Sequence, residues 1–126
     1  MNPAMVVAGS LAHGDLDVRL IESLPWVLLE FADLDACWLA AQCRLLNLQN
    51  RLGFLVTLAC EAKGERDHLR NMLVELEQSR LAVEGTLCRD SMPDAERVWI
   101  RKHRSVLAAH WGLLTTLSRE QLRYAA

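Results

Sequence analysis

The sequence has few residues that break regular structure and no apolar run long enough to cross a membrane. Its 126 residues include 3 prolines and 6 glycines, against a hydrophobic content of 52%. That balance is typical of a compact folded domain and argues against a disordered chain. A membrane-spanning helix needs about 18 consecutive apolar residues, and no stretch approaches that length. We therefore expect no membrane partner.

Sequence signatures of catalysis and of cofactor or metal binding are also missing. The 4 cysteines form no CxxC pair, the 4 histidines form no HExxH motif, and neither a GxGxxG loop nor a P-loop occurs. We therefore expect no metal, no cofactor and no enzymatic activity. The cysteines lie in apolar helical surroundings, which favours free buried thiols. The N-terminus lacks the basic region of a signal peptide, so we expect a cytoplasmic protein.

Charge of one sign is scarce at each end of the chain, although the whole chain carries a net charge of only −2. Residues 1–36 hold one base and six acids, a net of −5, whereas residues 92–126 hold six bases and three acids, a net of +3. This asymmetry predicts pairing of the two ends, within one molecule or between two copies. Solvated helix faces are the alternative explanation.

Apolar residues at helical spacing fill the centre of the sequence. Steps of three and four residues connect Trp38, Ala41, Leu45, Leu48, Leu52, Leu55, Ala59 and Ala62. The unbroken spacing predicts one helix over about 35–63, with no turn at Leu46 and Asn47. Gly64 ends it, and a second helix is predicted over about 65–90.

These features predict an all-α fold in one domain, residues 1–126. Its framework is a helical bundle built on a long antiparallel αα-hairpin, about 35–63 and 65–90, because the connection between the two helices is so short. Short helices precede it in residues 1–34, with a start signal at Asn2 and Pro3. Basic helices follow in residues 91–126, where Ser118 and Gln121 predict a capping box for the last one.

The stretch LNLQNRLGFLVTLAC, residues 46–60, carries a second apolar stripe (Leu46, Phe54 and Leu58) beside a polar window (Gln49, Asn50 and Arg51). A two-helix hairpin covers only one stripe, so the other needs the terminal helices, a second copy or another protein. The polar window is either solvated or sets the choice of partner. Mid-helix Gly53 indicates a close approach of another helix. We predict an interface to a homodimer or protein partner at Leu46, Gln49, Asn50, Arg51, Phe54 and Leu58.

The basic segment, RVWIRKHRSV at residues 97–106, indicates an alternative function. Its candidate phosphate-binding residues are Arg97, Arg101, Lys102 and Arg104, with Trp99 among them. Such a group can hold a nucleic-acid backbone through contacts that weaken with salt. An ordinary solvated helix face has the same spacing. Nucleic-acid binding is therefore the second hypothesis, after a non-enzymatic interaction or oligomerisation module.

Three segments carry a resemblance: LPWVLL at 24–29, LQNRLGFLV at 48–56 and LRYAA at 122–126. Over about residues 15–126 the chain resembles a helical segment of bacterial transcriptional regulators of the antitoxin type. In those proteins a DNA-binding helix-turn-helix precedes such a segment, and no separate domain of that kind fits before residue 15. The resemblance implies a partner-binding or self-associating regulatory component, and it assigns no functional residues.

Overall fold

The structure is a computed structural model, and it describes residues 2–122. Within that range the chain is an all-α helical bundle, as the sequence predicts, with eight helices and two short strands. The helices are α1 (Pro3–Leu11), α2 (Val18–Glu30), α3 (Ala36–Leu45), α4 (Gln49–Lys63), α5 (Asp67–Gln78), α6 (Asp94–His103), α7 (Val106–His110) and α8 (Arg119–Leu122). The strands are β1 (Gly85–Thr86) and β2 (Leu113–Leu114). Residues 123–126 of the predicted last helix lie outside the described range.

The two helix-start signals are confirmed at both ends of the bundle. At α1, the backbone N–H of Ala4 donates to Oδ1 of Asn2 over 3.0 Å, and Pro3 is the first helical residue. At α8, the N–H of Ser118 donates to Oε1 of Gln121 over 2.7 Å. The latter contact is half of the predicted capping box, in which the glutamine reaches back to the capping residue.

Helix α4 lies at the centre of the bundle. It packs against α2, α3, α5 and α8, and nine of its 15 residues are buried. A helix that is apolar on more than one side needs such a central position, because a two-layer contact would leave one side in water. Phe54 and Leu58 of the predicted second stripe are therefore covered by the chain's own helices.

The predicted single helix over 35–63 is wrong, because the chain turns at residues 46–48. Asn47 adopts a left-handed backbone with φ +57°. The N–H of Leu48 donates to the carbonyl of Cys43 over 2.7 Å, and the N–H of Asn47 donates to that of Arg44. This is the Schellman pattern that ends a helix, with asparagine in the place where glycine is commonest. The even apolar spacing runs straight through it, which hides the turn in the sequence.

The predicted second helix over 65–90 is also too long, since α5 ends at Gln78. Residues 79–93, here called the connecting segment, cross the bundle. They contain strand β1 and no helix. Strand β1 pairs with β2 in parallel, with Gly85 opposite Leu113. Farther along, the N–H of Leu16 donates to the carbonyl of Cys88 over 2.9 Å. The connecting segment therefore finds its backbone partners in other parts of the chain rather than in a helix.

The helices of the described range are also informative about membranes. None of those between residues 2 and 122 is both long and apolar enough to span a bilayer.

Candidate interaction surface

The polar window of α4 faces the connecting segment. Nε2 of Gln49 donates to the carbonyl of Ser79 over 3.0 Å. Asn50 pairs with Leu81 in both directions: its Nδ2 donates to the Leu81 carbonyl over 3.1 Å, and the Leu81 N–H donates to its Oδ1 over 2.9 Å. The asparagine side chain thus replaces the backbone partner that a helix or strand would have provided. These two side chains stabilise the start of the connecting segment.

Arg51 extends this contact to the end of α1 and to the later part of the connecting segment. Its Nε donates to the carbonyl of Thr86 over 3.0 Å, and its Nη1 donates to those of Leu11 and His13 over 2.8 and 3.0 Å. Its Nη2 meets Oδ1 of Asp90 at 3.1 Å. A planar guanidinium presents several donors in a fixed fork, so one side chain joins three parts of the chain.

The predicted interface residues do not form an outer surface. Phe54 and Leu58 lie in the core of the bundle, and Gln49 and Asn50 are buried against the connecting segment. Leu46, which is 47% exposed, is the one member of the set with a largely free side chain. The prediction that these residues lie on the outside is wrong. The sides of α4 that a two-helix hairpin would leave open are covered by α2, α5, α8 and the connecting segment.

Exposed apolar residues line α3 instead. Trp38 is 38% exposed and Leu45 is 76% exposed, with exposed Ala41 between them. Spacings of three and four residues place these side chains on one face of the helix, opposite the face on which Leu39 and Cys43 are buried. We call Trp38, Ala41 and Leu45 the outer stripe. It is the first part of the periodic pattern that the sequence assigned to the inside of a hairpin.

The ends of α3 carry opposite charges. At its start, Oδ1 of Asp35 accepts from the N–H of Trp38 over 3.1 Å, which caps the helix, and exposed Asp33 lies just before it. At its end, Nη1 of Arg44 lies 3.7 Å from Oε2 of Glu75 on α5, and both side chains are about half exposed. Both charges also complement the helix dipole, whose start is positive and whose end is negative.

The basic segment is largely engaged within the chain. Arg97 donates to the backbone carbonyls of Met92 and Asp90. Arg101 grips Glu84 with two nitrogens, the closer at 2.7 Å, and Arg104 reaches the same carboxylate at 3.2 Å. The hydrogen bond from Arg101 is the main reason that the pKa of Glu84 lies below its ordinary value. Within residues 2–122, Lys102 is the member of the four with no hydrogen-bond or ion-pair partner.

A second exposed tryptophan lies in the basic segment. Trp99 is 55% exposed and its ring stacks on that of His103, with ring centres 4.1 Å apart. Nδ1 of His103 also lies 2.7 Å from the carbonyl of Trp99. The stack fixes the position of the indole on the helix surface, but the charges around it are mixed because Arg101 and Arg104 share a carboxylate.

The thiols and other metal-binding side chains form no evident site in the part of the chain that the structure describes. No group of three or more His, Cys, Asp or Glu side chains could hold a metal ion there. The 4 cysteines are free; Cys43 and Cys88 are buried, and Cys37 is exposed. Burial raises the pKa of Cys43 to about 12 and is the main cause of a raised pKa at Cys88. Buried thiols of this kind are protonated and unreactive at neutral pH.

Sequence reasoning missed the outer stripe because it assigned the whole periodic pattern to one helix. The signal that could have found it is Leu46-Asn47-Leu48, where asparagine takes a left-handed conformation more readily than most residues. A helix end at that point separates Trp38, Ala41 and Leu45 from the later apolar positions. The early positions then need their own explanation.

No protein-family model, characterised protein or solved structure matches the chain.

Proposed function

We propose that this chain is a non-enzymatic helical interaction module that binds another protein through the outer stripe of α3. The observation that supports the proposal is the spacing of exposed Trp38, Ala41 and Leu45 on one helix face. A partner helix or groove recognises apolar anchors at such spacings. Tryptophan is also among the residues that contribute most to binding energy at interfaces. The resemblance to antitoxin-type regulators agrees with this proposal and implies a regulatory component.

The rest of the surface supports the same choice of position. Exposed apolar residues scattered one at a time are normal on proteins, whereas grouped ones mark binding sites. Leu46, which is also exposed, follows directly after the outer stripe in the chain. Its side chain adds to the apolar area near the stripe.

Site-specific photo-crosslinking tests this proposal in cells that produce the chain. A photoreactive amino acid replaces Leu45, and a matched control places it at Val106, a more exposed apolar position on α7. We expect a crosslinked protein from position 45, none from position 106, and loss of the product when Trp38→Glu is added. No product at position 45, or the same products at both positions, would contradict an interaction role for the outer stripe.

A second candidate is binding of nucleic acid by the basic segment. Exposed Trp99 beside Lys102 favours it, since aromatic rings and cations together hold single-stranded bases and phosphates. The pairing of Arg101 and Arg104 with Glu84 reduces the charge that is free to act. If this candidate holds, binding of short DNA or RNA weakens steeply with added salt. Replacement of Arg101, Lys102 and Arg104 by alanine then abolishes binding. Binding that does not change with salt concentration would exclude this candidate function.

A further inference from the structure

We infer that the partner of the outer stripe is a second copy of this chain, with the two α3 helices packed antiparallel. This inference rests on the proposed function and names the partner for the same surface. Three properties of α3 support it: the charges at its ends, the sizes of its exposed side chains and the apolar area around them.

Charge complementarity selects both the partner and the direction. Asp33 and Asp35 lie at the start of α3, and Arg44 lies in its last turn. In an antiparallel pair, the acidic start of each helix approaches the basic end of the other, and the two helix dipoles also oppose each other favourably. A parallel pair would bring like charges together. The contact between Arg44 and Glu75 is 3.7 Å long and half exposed, so it contributes little stability, and Arg44 can exchange it for a carboxylate of the partner.

The side-chain sizes also fit a two-fold symmetric pair. Trp38 and Leu45 lie on either side of Ala41, so an antiparallel copy places each tryptophan toward the leucine of its partner. The small methyl group of Ala41 near the axis lets the helices approach closely, with the large side chains on both sides filling the space. A two-fold axis makes every such contact occur twice. One contact pattern therefore covers the exposed apolar face of both helices.

The available area predicts a weak dimer. Trp38, Leu45 and Leu46 are 38%, 76% and 47% exposed. With about 200 Å² for a large side chain, they offer about 320 Å² per copy, or about 640 Å² for the pair. Stable interfaces bury about 1,200–2,000 Å² in total, and transient ones bury less. We therefore expect association that depends on concentration.

Light scattering and sedimentation of the purified chain test the inference across a range from about 10 µM to about 1 mM. The mass should rise with concentration from 14.2 kDa toward twice that value. Trp38→Glu and Leu45→Glu should each hold the chain at the mass of a monomer. The matched controls Trp99→Glu and Val106→Glu place the same charge at exposed positions of α6 and α7, and should associate as the natural chain does.

Charge reversal tests the antiparallel direction. Arg44→Glu places a carboxylate beside Asp33 and Asp35 of the partner, so it should weaken association at least tenfold at low salt. Adding Asp33→Arg should restore most of the loss, because the charges are then exchanged within the same pair. If Arg44→Glu has no effect, or if the second change does not restore association, the antiparallel arrangement is wrong. Circular dichroism of each variant confirms that the helices remain folded.

The results separate this inference from the proposed function. A chain that stays monomeric up to about 1 mM, yet forms a crosslink at position 45 to a different protein, overturns self-association and leaves the interaction module in place. Association that Trp38→Glu and Leu45→Glu do not change overturns the use of α3. A crosslink at position 45 whose product has the mass of two chains supports both.

Discussion

The residue type at position 53 is restricted by the ring of Trp111, which packs directly against Gly53. A glycine inside a helix costs stability, so its presence predicts a close approach of another helix. The structure has a close contact there, made by a side chain rather than by a helix backbone. A Cβ added at position 53 would lie 2.3 Å from two ring carbons of Trp111. The approaching group is an indole that follows directly after α7, which the sequence had not identified.

Gly53→Ala should therefore destabilise the fold by about 1–3 kcal/mol, because the buried Trp111 ring has to move away from the new methyl group. Gly9→Ala is the matched control, since Gly9 also lies inside a helix but a methyl group added there would have no other atom within 4 Å. There the same change should stabilise by up to about 1 kcal/mol. Urea unfolding measures the change in unfolding free energy for both variants. A change of the same sign in both would contradict the packing argument.

Arg51 is the residue whose function the sequence described least well. It was predicted to contact a partner, and it instead joins α1, α4 and the connecting segment. Arg51→Lys keeps the charge but loses the planar fork, so several carbonyls lose their donor. We expect urea unfolding to show a loss of at least about 2 kcal/mol in unfolding free energy. Arg70→Lys, on the exposed side of α5, is the control and should change stability by less than about 0.5 kcal/mol.

At the scale of elements, local signals located the starts of α1 and α8 and the end of α4 at Gly64, but not the ends of α3 and α5. Capping side chains act within three residues of a start, so Asn2 and Ser118 were recognisable. The end of α3 depends on the left-handed conformation of Asn47, and the end of α5 depends on side chains from α4, about 30 residues earlier in the chain. Such distant partners leave no periodic signal in the sequence of the connecting segment itself.

The pairing of Glu84 with Arg101 and Arg104 attaches the connecting segment to α6 and should make its stability depend on pH. A carboxylate whose pKa is lowered in the folded state stabilises that state above its ordinary pKa, here 4.5, and loses this contribution as the pH falls through the folded-state value. Glu84→Gln should therefore cost about 0.5–1 kcal/mol near neutral pH. The cost should disappear in strong acid.

Unfolding experiments at several pH values compare Glu84→Gln with Glu61→Gln, an exposed position on α4. The difference between the natural chain and Glu84→Gln should shrink toward zero as the pH falls below the ordinary pKa. A difference that stays constant with pH would mean that the ion pair does not contribute as its geometry implies.

At the scale of the whole molecule, composition and periodicity were sufficient for the fold class but not for the exposed surface. The all-α bundle follows from the small number of glycine and proline residues, which break helices, and from the regular spacing of apolar residues. Which apolar residues remain outside depends on how the helices pack around one core, and Phe54 and Trp38 cannot be distinguished by spacing alone. The candidate interaction site is therefore on the exposed face of α3 rather than on α4, where the predicted contact residues are buried.

The distribution of burial also predicts which parts of the molecule open first. Helix α4 has nine buried residues, whereas α6 has only Ile100, so few contacts oppose local opening of α6. Amide hydrogen exchange in low concentrations of denaturant should show this difference. Exchange in α4 should accelerate with denaturant, because its amides open only when the whole chain unfolds, while exchange in α6 should be faster and nearly independent of denaturant. If α6 were as protected as α4, α6 would open only when the whole chain unfolds, and the order of opening inferred from burial would be wrong.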